Sequence, residues 1–190
     1  MMNFKLLIIS VISYWFQLGF YVFSPQFLGV SKSETRNKPT VTLTAYVFMA
    51  VECPISQKYI YRLNELNKRY PEMNIIGVFQ ENTTEDELSD FKERFSVDFP
   101  LVFDKDHRWA HQFNVEITPE VFLIDRFNKI LYSGAIDNWF ISLGRNRQAP
   151  SEHYLLDAFL ATKQGEEVKI KKTKAVGCFL ELNTSHHHDQ

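Results

Sequence analysis

The sequence VFMAVECPIS at residues 47–56 decides the fold, because a strand is predicted to run into a helix there. Residues 41–48 are a β-branched and aromatic run of strand length. Pro54 follows Cys53 at the position where proline is favoured as the first helical residue. At such a junction, free backbone N–H groups and the helix dipole point at the cysteine sulfur, which favours the thiolate. Cys53 is therefore predicted to be a reactive cysteine.

The rest of the chain alternates between helical and strand patterns. Apolar spacing predicts a helix from Pro54 that ends at Pro71, and residues 74–80 predict a buried strand. Thr84 followed by Glu87 predicts a capping box that opens a second helix. Later elements are predicted as strands at 100–103, 121–125 and 129–133, the last two forming a hairpin, and as helices at 107–113 and from the N-cap Ser151 to Gly165. This order predicts an α/β fold with a mixed central sheet and helices on both faces.

The composition excludes several classes of protein. Of the 190 residues, 45% are hydrophobic and 15% aromatic, which suffices for one core and excludes a chain disordered throughout. The formal net charge of -2 lacks the basic excess of nucleic-acid-binding proteins. Cys53 and Cys178 are too far apart in sequence for a local metal pair, and His107 with His111 lacks a third ligand between them. We expect no nucleic-acid partner, no metal and no cofactor.

The N-terminus carries an export pattern. Lys5 precedes an uncharged, mostly apolar run over residues 6–23. A secretory signal has about 7 to 15 apolar residues and a membrane-spanning helix about 17 to 25, so a cleaved signal and an anchor are both open. We predict a signal peptide or anchor with its linker at 1–38, a domain at 39–165, and a tail at 166–190 that contains Cys178. The expected location is extracytoplasmic, with membrane contact only through the N-terminal segment.

Two motifs and the strand after them bring a resemblance to a known family. These are residues 47–54, the Ile-Thr-Pro turn at 117–119 and the strand-like run 120–125. They resemble the thioredoxin-like superfamily, specifically its exported redoxin and AhpC/TSA-type domains, over about residues 41–165. The resemblance implies a thioredoxin-like fold and thiol-dependent redox activity. It also implies a cis proline at the Thr118–Pro119 turn that packs against the cysteine, so Thr118, Pro119 and Pro54 are predicted to bind substrate.

The sequence departs from two patterns of that superfamily. Ser56 stands where thioredoxins carry a second cysteine, and Tyr46 and Ala50 stand where peroxiredoxins carry proline and threonine or serine. A local dithiol is therefore absent. Residues 173–178 end in Gly-Cys and resemble the C-terminal segment of some exported redoxin domains with a CPIS motif.

A lone Cys53 thiolate needs a second thiol to resolve the product of its attack on a disulfide or a peroxide. Cys178 is the candidate within the chain, and a structural disulfide that pins the tail, or a free Cys178, are the alternatives. The leading hypothesis is an exported thiol-disulfide oxidoreductase in which Cys53 is the nucleophile, Ser56 hydrogen-bonds its thiolate and Cys178 resolves. Its partners would be a disulfide-bearing protein or a small-molecule oxidant, and an external thiol reductant.

Other functions remain open at this point. A thiol peroxidase of AhpC/TSA type would use the same cysteine. A redox-inactive thioredoxin-like binding module, or a copper carrier, is favoured by the serine at position 56, although copper transfer would need two nearby thiolates and a histidine. Glu52 would raise the pKa of Cys53 if it lay close by, and would change nothing if it faced solvent.

Overall fold

The structure is a computed structural model that describes residues 42–80 and 82–180. The predicted signal peptide or anchor at residues 1–38 lies outside the described residues, as does the end of the tail after Leu180. Within the described ranges, no helix has both the length and the apolar character needed to cross a membrane.

A mixed sheet of five strands lies at the centre of the described chain. Its first three strands are parallel: β1 (Leu43–Met49), β2 (Met73–Gln80) and β3 (Leu101–Asp104). After the short strand β4 (Ile117–Thr118), β5 (Glu120–Asp125) pairs antiparallel with β1, and β6 (Ile130–Gly134) pairs antiparallel with β5. The strand order is β3-β2-β1-β5-β6. The predicted mixed sheet, with its closing hairpin, is confirmed.

Helices cover both faces of this sheet, as predicted. Successive side chains of a strand point to opposite faces. In β1, Val47 and Met49 enter the larger core, whereas Phe48 enters a smaller cluster on the other face. The larger core is covered by α1 (Pro54–Arg69), α2 (Glu85–Arg94) and α4 (Tyr154–Gln164), and the smaller one by α3 (Arg108–Phe113).

The predicted capping box of α2 is confirmed. The Glu87 N–H donates to the Thr84 hydroxyl at 3.2 Å, and the Thr84 N–H donates to the Glu87 carboxylate at 2.8 Å. α3 begins one residue later than predicted, after a 3-10 turn at Lys105–His107. The buried Asp104 carboxylate caps it by accepting the N–H groups of Trp109 and Ala110, both at 2.8 Å.

The predicted N-cap of the last helix is wrong. α4 begins at Tyr154 after His153, and no side chain caps it. Ser151 instead pairs with Asn138, which accepts the Ser151 N–H at 2.9 Å and donates its own amide to the Ser151 hydroxyl at 3.0 Å. The Ser151 side chain is therefore bound by Asn138 in the loop after β6, 13 residues earlier in the chain, instead of capping the helix. The predicted end of the helix at Gly165 is correct, with φ at 79°.

Two further strand pairs were not predicted. One is a small hairpin of β7 (Phe140–Ser142) and β8 (Arg145–Asn146). The other pairs β4 with β9 (Cys178–Phe179) from the tail. The tail also lies along β6, where the Ser133 N–H donates to Lys171 and the Thr173 N–H donates to Ser133, both at 3.0 Å. The described part of the tail is therefore packed on the domain.

Candidate active site

Cys53 lies at the junction of β1 and α1, as the sequence predicts. Its backbone N–H donates to the Ala50 carbonyl at 3.2 Å, and its own carbonyl accepts the Gln57 N–H at 3.0 Å as the helix begins. Pro54 occupies the first helical position and is exposed. Cys53 is the N-cap residue of α1 and is only 2% exposed. Its side chain therefore lies at the positive end of the helix dipole.

Polar groups surround the Cys53 sulfur. Its thiol donates to the Thr118 carbonyl oxygen at 3.2 Å. Ser56 is fully buried in the first turn of α1, and its backbone N–H and hydroxyl hydrogen-bond the sulfur. The Cys178 side chain provides a further hydrogen bond. The Thr118 carbonyl favours the protonated thiol, whereas donors on Ser56 and Cys178 favour the thiolate.

The balance of these contacts holds the pKa of Cys53 below its ordinary value. Burial has the largest influence and acts in the opposite direction, because it penalises the charged thiolate. The hydrogen bond from the Cys178 side chain, followed by those from the Ser56 backbone and hydroxyl, outweighs it. Cys53 is thus the sulfur that ionises first.

Cys178 reaches Cys53 because β9 pairs with β4. Thr118 stands opposite Cys178 in the antiparallel register. The Thr118 hydroxyl donates to the Cys178 carbonyl at 3.4 Å, and the Leu180 N–H donates to Glu116 at 2.9 Å. Both cysteines are free thiols in this structure. The fold therefore supplies a second thiol from the tail.

The pKa of Cys178 is raised to about 12 by burial, by its hydrogen bond to Cys53 and by the negative charge of Cys53. The two sulfurs titrate as a pair, so the remaining proton stays on Cys178 after Cys53 has ionised. Once Cys53 is bonded to an oxidant it no longer carries charge. Two of the influences on Cys178 then disappear, and its thiol ionises more readily.

Two glycines let the tail approach the site. A Cβ on Gly177 would lie 1.9 Å from the Thr118 carbonyl oxygen, a distance that no side chain tolerates. Gly134 has a φ of 127°, and a Cβ there would lie 2.2 Å from the Thr173 carbonyl oxygen. The Thr173 hydroxyl is also hydrogen-bonded to Tyr132, with 2.6 Å between the oxygens. The path of the tail is therefore constrained at two points, Thr173 and Gly177, before it reaches Cys178.

These supporting residues were missed in the sequence, apart from the Gly-Cys pair at 177–178. Gly134 directly follows a predicted strand, which is a signal for close backbone approach. Nothing in the sequence indicates that Thr173 is the residue that approaches Gly134.

The three residues that are predicted to bind substrate lie in different surroundings. Thr118 contacts both cysteines, and its peptide bond to Pro119 is cis. Pro119 is buried and lines a separate cavity of about 270 Å³ with Tyr59 and Asp137. Pro54 is exposed at the start of α1. Their roles in binding substrate stay predictions.

A cleft of about 320 Å³ borders both cysteines. Its lining residues are Ala50, Glu52, Cys53, Gln80, Asn82, Cys178, Phe179 and Leu180. Glu52 is exposed. Phe179 follows Cys178 and is 81% exposed, which is unusual for so large an apolar side chain. The cleft is therefore lined by both polar and apolar side chains.

His107 and His111 lie at the start of α3 and within it. The ring of His107 is nearly perpendicular to the ring of His111, and the two ring centroids lie 6.4 Å apart. In the part of the chain that the structure describes, no group of three or more His, Cys, Asp or Glu is arranged to hold a metal ion.

The lowered pKa of Cys53 predicts that its thiol is reactive. Alkylation of Cys53 in the reduced protein should reach half its maximal rate at a lower pH than in the unfolded chain, because the thiolate forms at lower pH. Ser56→Ala removes the hydroxyl donor and should move this midpoint upward. Mass spectrometry of iodoacetamide-treated samples across pH gives the measurement for each cysteine. A folded-state midpoint at or above about 8.5, the free-thiol value, would contradict the prediction.

Comparison with known proteins supports the resemblance. A model of the AhpC/TSA family matches residues 26–133, which is more than half of the chain. A search of curated proteins found no significant match.

Two solved structures share the fold. An uncharacterized conserved protein from Geobacillus kaustophilus is 20% identical with a TM-score of 0.67, covering 77% of this chain and 80% of that one. A hypothetical protein from Sinorhizobium meliloti 1021 is 18% identical with a TM-score of 0.64, covering 75% and 81%. A thioredoxin domain of a thiol-disulfide oxidoreductase from Bacteroides vulgatus overlaps partially, at 18% identity and a TM-score of 0.44, covering 48% and 69%. The fold is α/β and thioredoxin-like, and the chain belongs to the AhpC/TSA family of redox proteins.

Proposed function

We propose that this protein is a thiol-dependent oxidoreductase in which Cys53 attacks the oxidant and Cys178 resolves the product. One observation carries the proposal: β9 brings the Cys178 thiol into hydrogen-bonding contact with Cys53. A lone cysteine would stop at a mixed disulfide or a sulfenic acid. With two adjacent thiols, one chain completes a two-electron oxidation.

For a disulfide substrate, the Cys53 thiolate attacks one sulfur and forms a mixed disulfide, while the other sulfur leaves as a thiolate. Cys178 then loses its proton and attacks the Cys53 sulfur, which releases the second substrate thiol. The substrate gains two electrons and two protons overall, and the enzyme ends with a Cys53–Cys178 disulfide. Ser56 supports the first step by stabilising the thiolate before the attack.

Membership of the AhpC/TSA family supports a second candidate, a thiol peroxidase that uses the same cysteines. Here Cys53 attacks the peroxide, one oxygen is transferred to sulfur as a sulfenic acid, and the other leaves as water or an alcohol. Cys178 displaces the hydroxyl as water and forms the same disulfide. Both candidates therefore share the nucleophile, the resolving thiol and the oxidised product.

An external thiol must regenerate the reduced pair. Cys178 is partly exposed and Cys53 is buried, so the incoming thiolate meets the Cys178 sulfur first. Attack there releases Cys53, which is the better leaving group because its pKa is the lower of the two. The mixed disulfide with the reductant is therefore expected on Cys178.

We further propose that the protein works outside the cytoplasm. The apolar run at residues 6–23 supports export, and an oxidising compartment would let the disulfide accumulate between turnovers. Cell fractionation with N-terminal sequencing of the recovered chain would test this. A chain that is recovered from the cytosol with its original N-terminus would contradict it.

Oxidation of the reduced protein is expected to join Cys53 and Cys178 within one chain. Intact mass after alkylation should show two blocked thiols in the reduced sample and none after one equivalent of peroxide or of a small disulfide. For a turnover disulfide, the reduction potential should lie above about −300 mV, whereas a structural one lies below it.

The Cys178→Ser variant is the control for this experiment. It should stop at the Cys53 sulfenic acid or mixed disulfide, which a dimedone adduct or the added mass reveals. If the wild-type protein kept two alkylatable thiols after oxidation, Cys178 would not be the resolving thiol. Stoichiometric Cu(I) binding without any thiol exchange would instead favour a copper carrier.

A further inference from the structure

We infer that strand β9 restricts Cys53 to small-molecule oxidants and excludes the disulfides of folded proteins. The tail would then determine specificity as well as supply a thiol. This inference rests on the proposed function, because it names the substrate class of the same cysteine pair.

The directions from which Cys53 can be approached are limited. Its sulfur lies 3.2 Å from the Thr118 carbonyl and contacts Ser56 and Cys178, and the residue is 2% exposed. The adjoining cleft of about 320 Å³ has the volume of a small-molecule pocket, which starts at about 300 Å³. Hydrogen peroxide or a small disulfide fits such a cleft. In a protein disulfide, polypeptide backbone extends on both sides of each cysteine.

The backbone edge beside Cys53 is already occupied. A polypeptide lying across Cys53 would run along Thr118, but Thr118 is paired with Cys178 and Ile117 with Phe179. The Leu180 N–H closes the next position by donating to Glu116 at 2.9 Å. Since neighbouring strands lie about 4.8 Å apart, a substrate strand and β9 cannot share this edge.

Displacing β9 would break several contacts at once. Gly177 packs directly against the Thr118 carbonyl, and Ala175 is buried. Thr173 is held by backbone and side-chain hydrogen bonds to β6 and the residue after it, including the Ala135 N–H at 2.9 Å. A small oxidant needs none of these contacts to break, because it reaches sulfur through the cleft. A protein disulfide has to displace the strand first.

The test compares two oxidants on the full chain with Cys178→Ser, which keeps β9 and limits reaction to Cys53. Second-order rate constants are measured for hydroxyethyl disulfide and for insulin, by mass spectrometry of the mixed disulfides. Free glutathione, an unshielded thiol, is the reference for the intrinsic ratio of the two rates. We expect the preference of Cys53 for the small disulfide to exceed that of glutathione at least a hundredfold.

Two substitutions in the Cys178→Ser background test whether β9 causes this preference. Gly177→Ala places a Cβ against the Thr118 carbonyl, and Leu180→Pro removes the donor to Glu116. Each should speed hydrogen exchange of the amides at 177–179, which both variants retain, and lower the preference at least tenfold. Gly144→Asn is the matched control, because asparagine tolerates the φ of 73° at this position and its Cβ would meet no atom within 4 Å. It should leave the preference unchanged.

The possible outcomes distinguish failure of this inference from failure of the proposed function. Failure of Cys53 to react with hydrogen peroxide, the small disulfide and insulin alike would refute the proposed function. Reaction with the small disulfide at a preference no greater than that of glutathione would overturn the inference alone. The inference would also be overturned if amide exchange became faster while the preference for the small disulfide stayed the same. It would be overturned as well if neither β9 variant changed the rate of amide exchange.

Discussion

Replacement of Cys53 by serine is expected to abolish turnover with both peroxide and small disulfides. A serine hydroxyl stays protonated near neutral pH and cannot form a disulfide, so the helix dipole and the Ser56 donors have no thiolate to stabilise. The loss should be on the order of a thousandfold or more, as for enzymes that lose their nucleophile. The measurement is the rate at which the substrate oxidises dithiothreitol in the presence of the full chain.

Cys178→Ser is the informative comparison, because it removes the proposed resolving thiol and leaves the proposed nucleophile. It should retain the first attack by Cys53. Under excess peroxide without reductant it should then accumulate the sulfinic acid, whereas the wild-type protein should stop at the disulfide. If Cys53→Ser kept more than about a tenth of the activity, Cys53 would not be the nucleophile. Overoxidation of the wild-type protein at the same rate as Cys178→Ser would show that Cys178 does not protect Cys53.

Much of the fold was predictable because it depends on local patterns. The apolar period of α1, the Thr84 and Glu87 box and the alternating strands each depend on neighbours within a few residues. The reactive position of Cys53 was also local, since a strand, a cysteine and a proline at the first helical position are consecutive in the chain. Local rules of this kind fix elements before any tertiary contact is known.

The other half of the candidate site could not be predicted from local rules. Cys178 lies in a two-residue strand without a periodic pattern of its own, and its pairing with Thr118 depends on the path of the whole tail. That path depends on Gly134 and Gly177, whose missing side chains matter only once their distant neighbours are known. Ser151 failed as a helix cap for a similar reason, because its actual partner is Asn138 in another loop.

A buried charge cluster that the sequence did not reveal gives the largest expected effect on stability. The Asp137 side chain, in a residue only 5% exposed, accepts the Tyr59 hydroxyl at 2.7 Å and the Trp139 N–H at 2.8 Å. The Arg62 guanidinium pairs with it at 3.4 Å. Burial, followed by the charge of Asp137 and its hydrogen bond, raises the pKa of Tyr59, so the phenol stays protonated and donates. The cluster joins α1 to the loop after β6.

Asp137→Ala is therefore expected to lower the free energy of unfolding by about 2 to 4 kcal/mol, because each donor left without its acceptor costs about 1 to 3 kcal/mol. The Tyr59 hydroxyl and the Trp139 N–H lose their acceptor, and Arg62 loses its counter-charge. Urea unfolding followed by circular dichroism measures the change. Asp137→Asn keeps an oxygen acceptor of nearly the same shape and should cost less, on the order of 1 to 2 kcal/mol.

A double-mutant cycle shows whether the cost comes from this cluster. Tyr59→Phe removes the phenol donor, so in that background Asp137→Ala leaves one fewer buried polar group unsatisfied and should cost at least about 0.5 kcal/mol less. Strictly additive effects would mean that the Tyr59 to Asp137 hydrogen bond contributes nothing to stability. A loss below about 1 kcal/mol for Asp137→Ala alone would mean that water replaces the carboxylate, and that the loop after β6 is held by its apolar contacts instead.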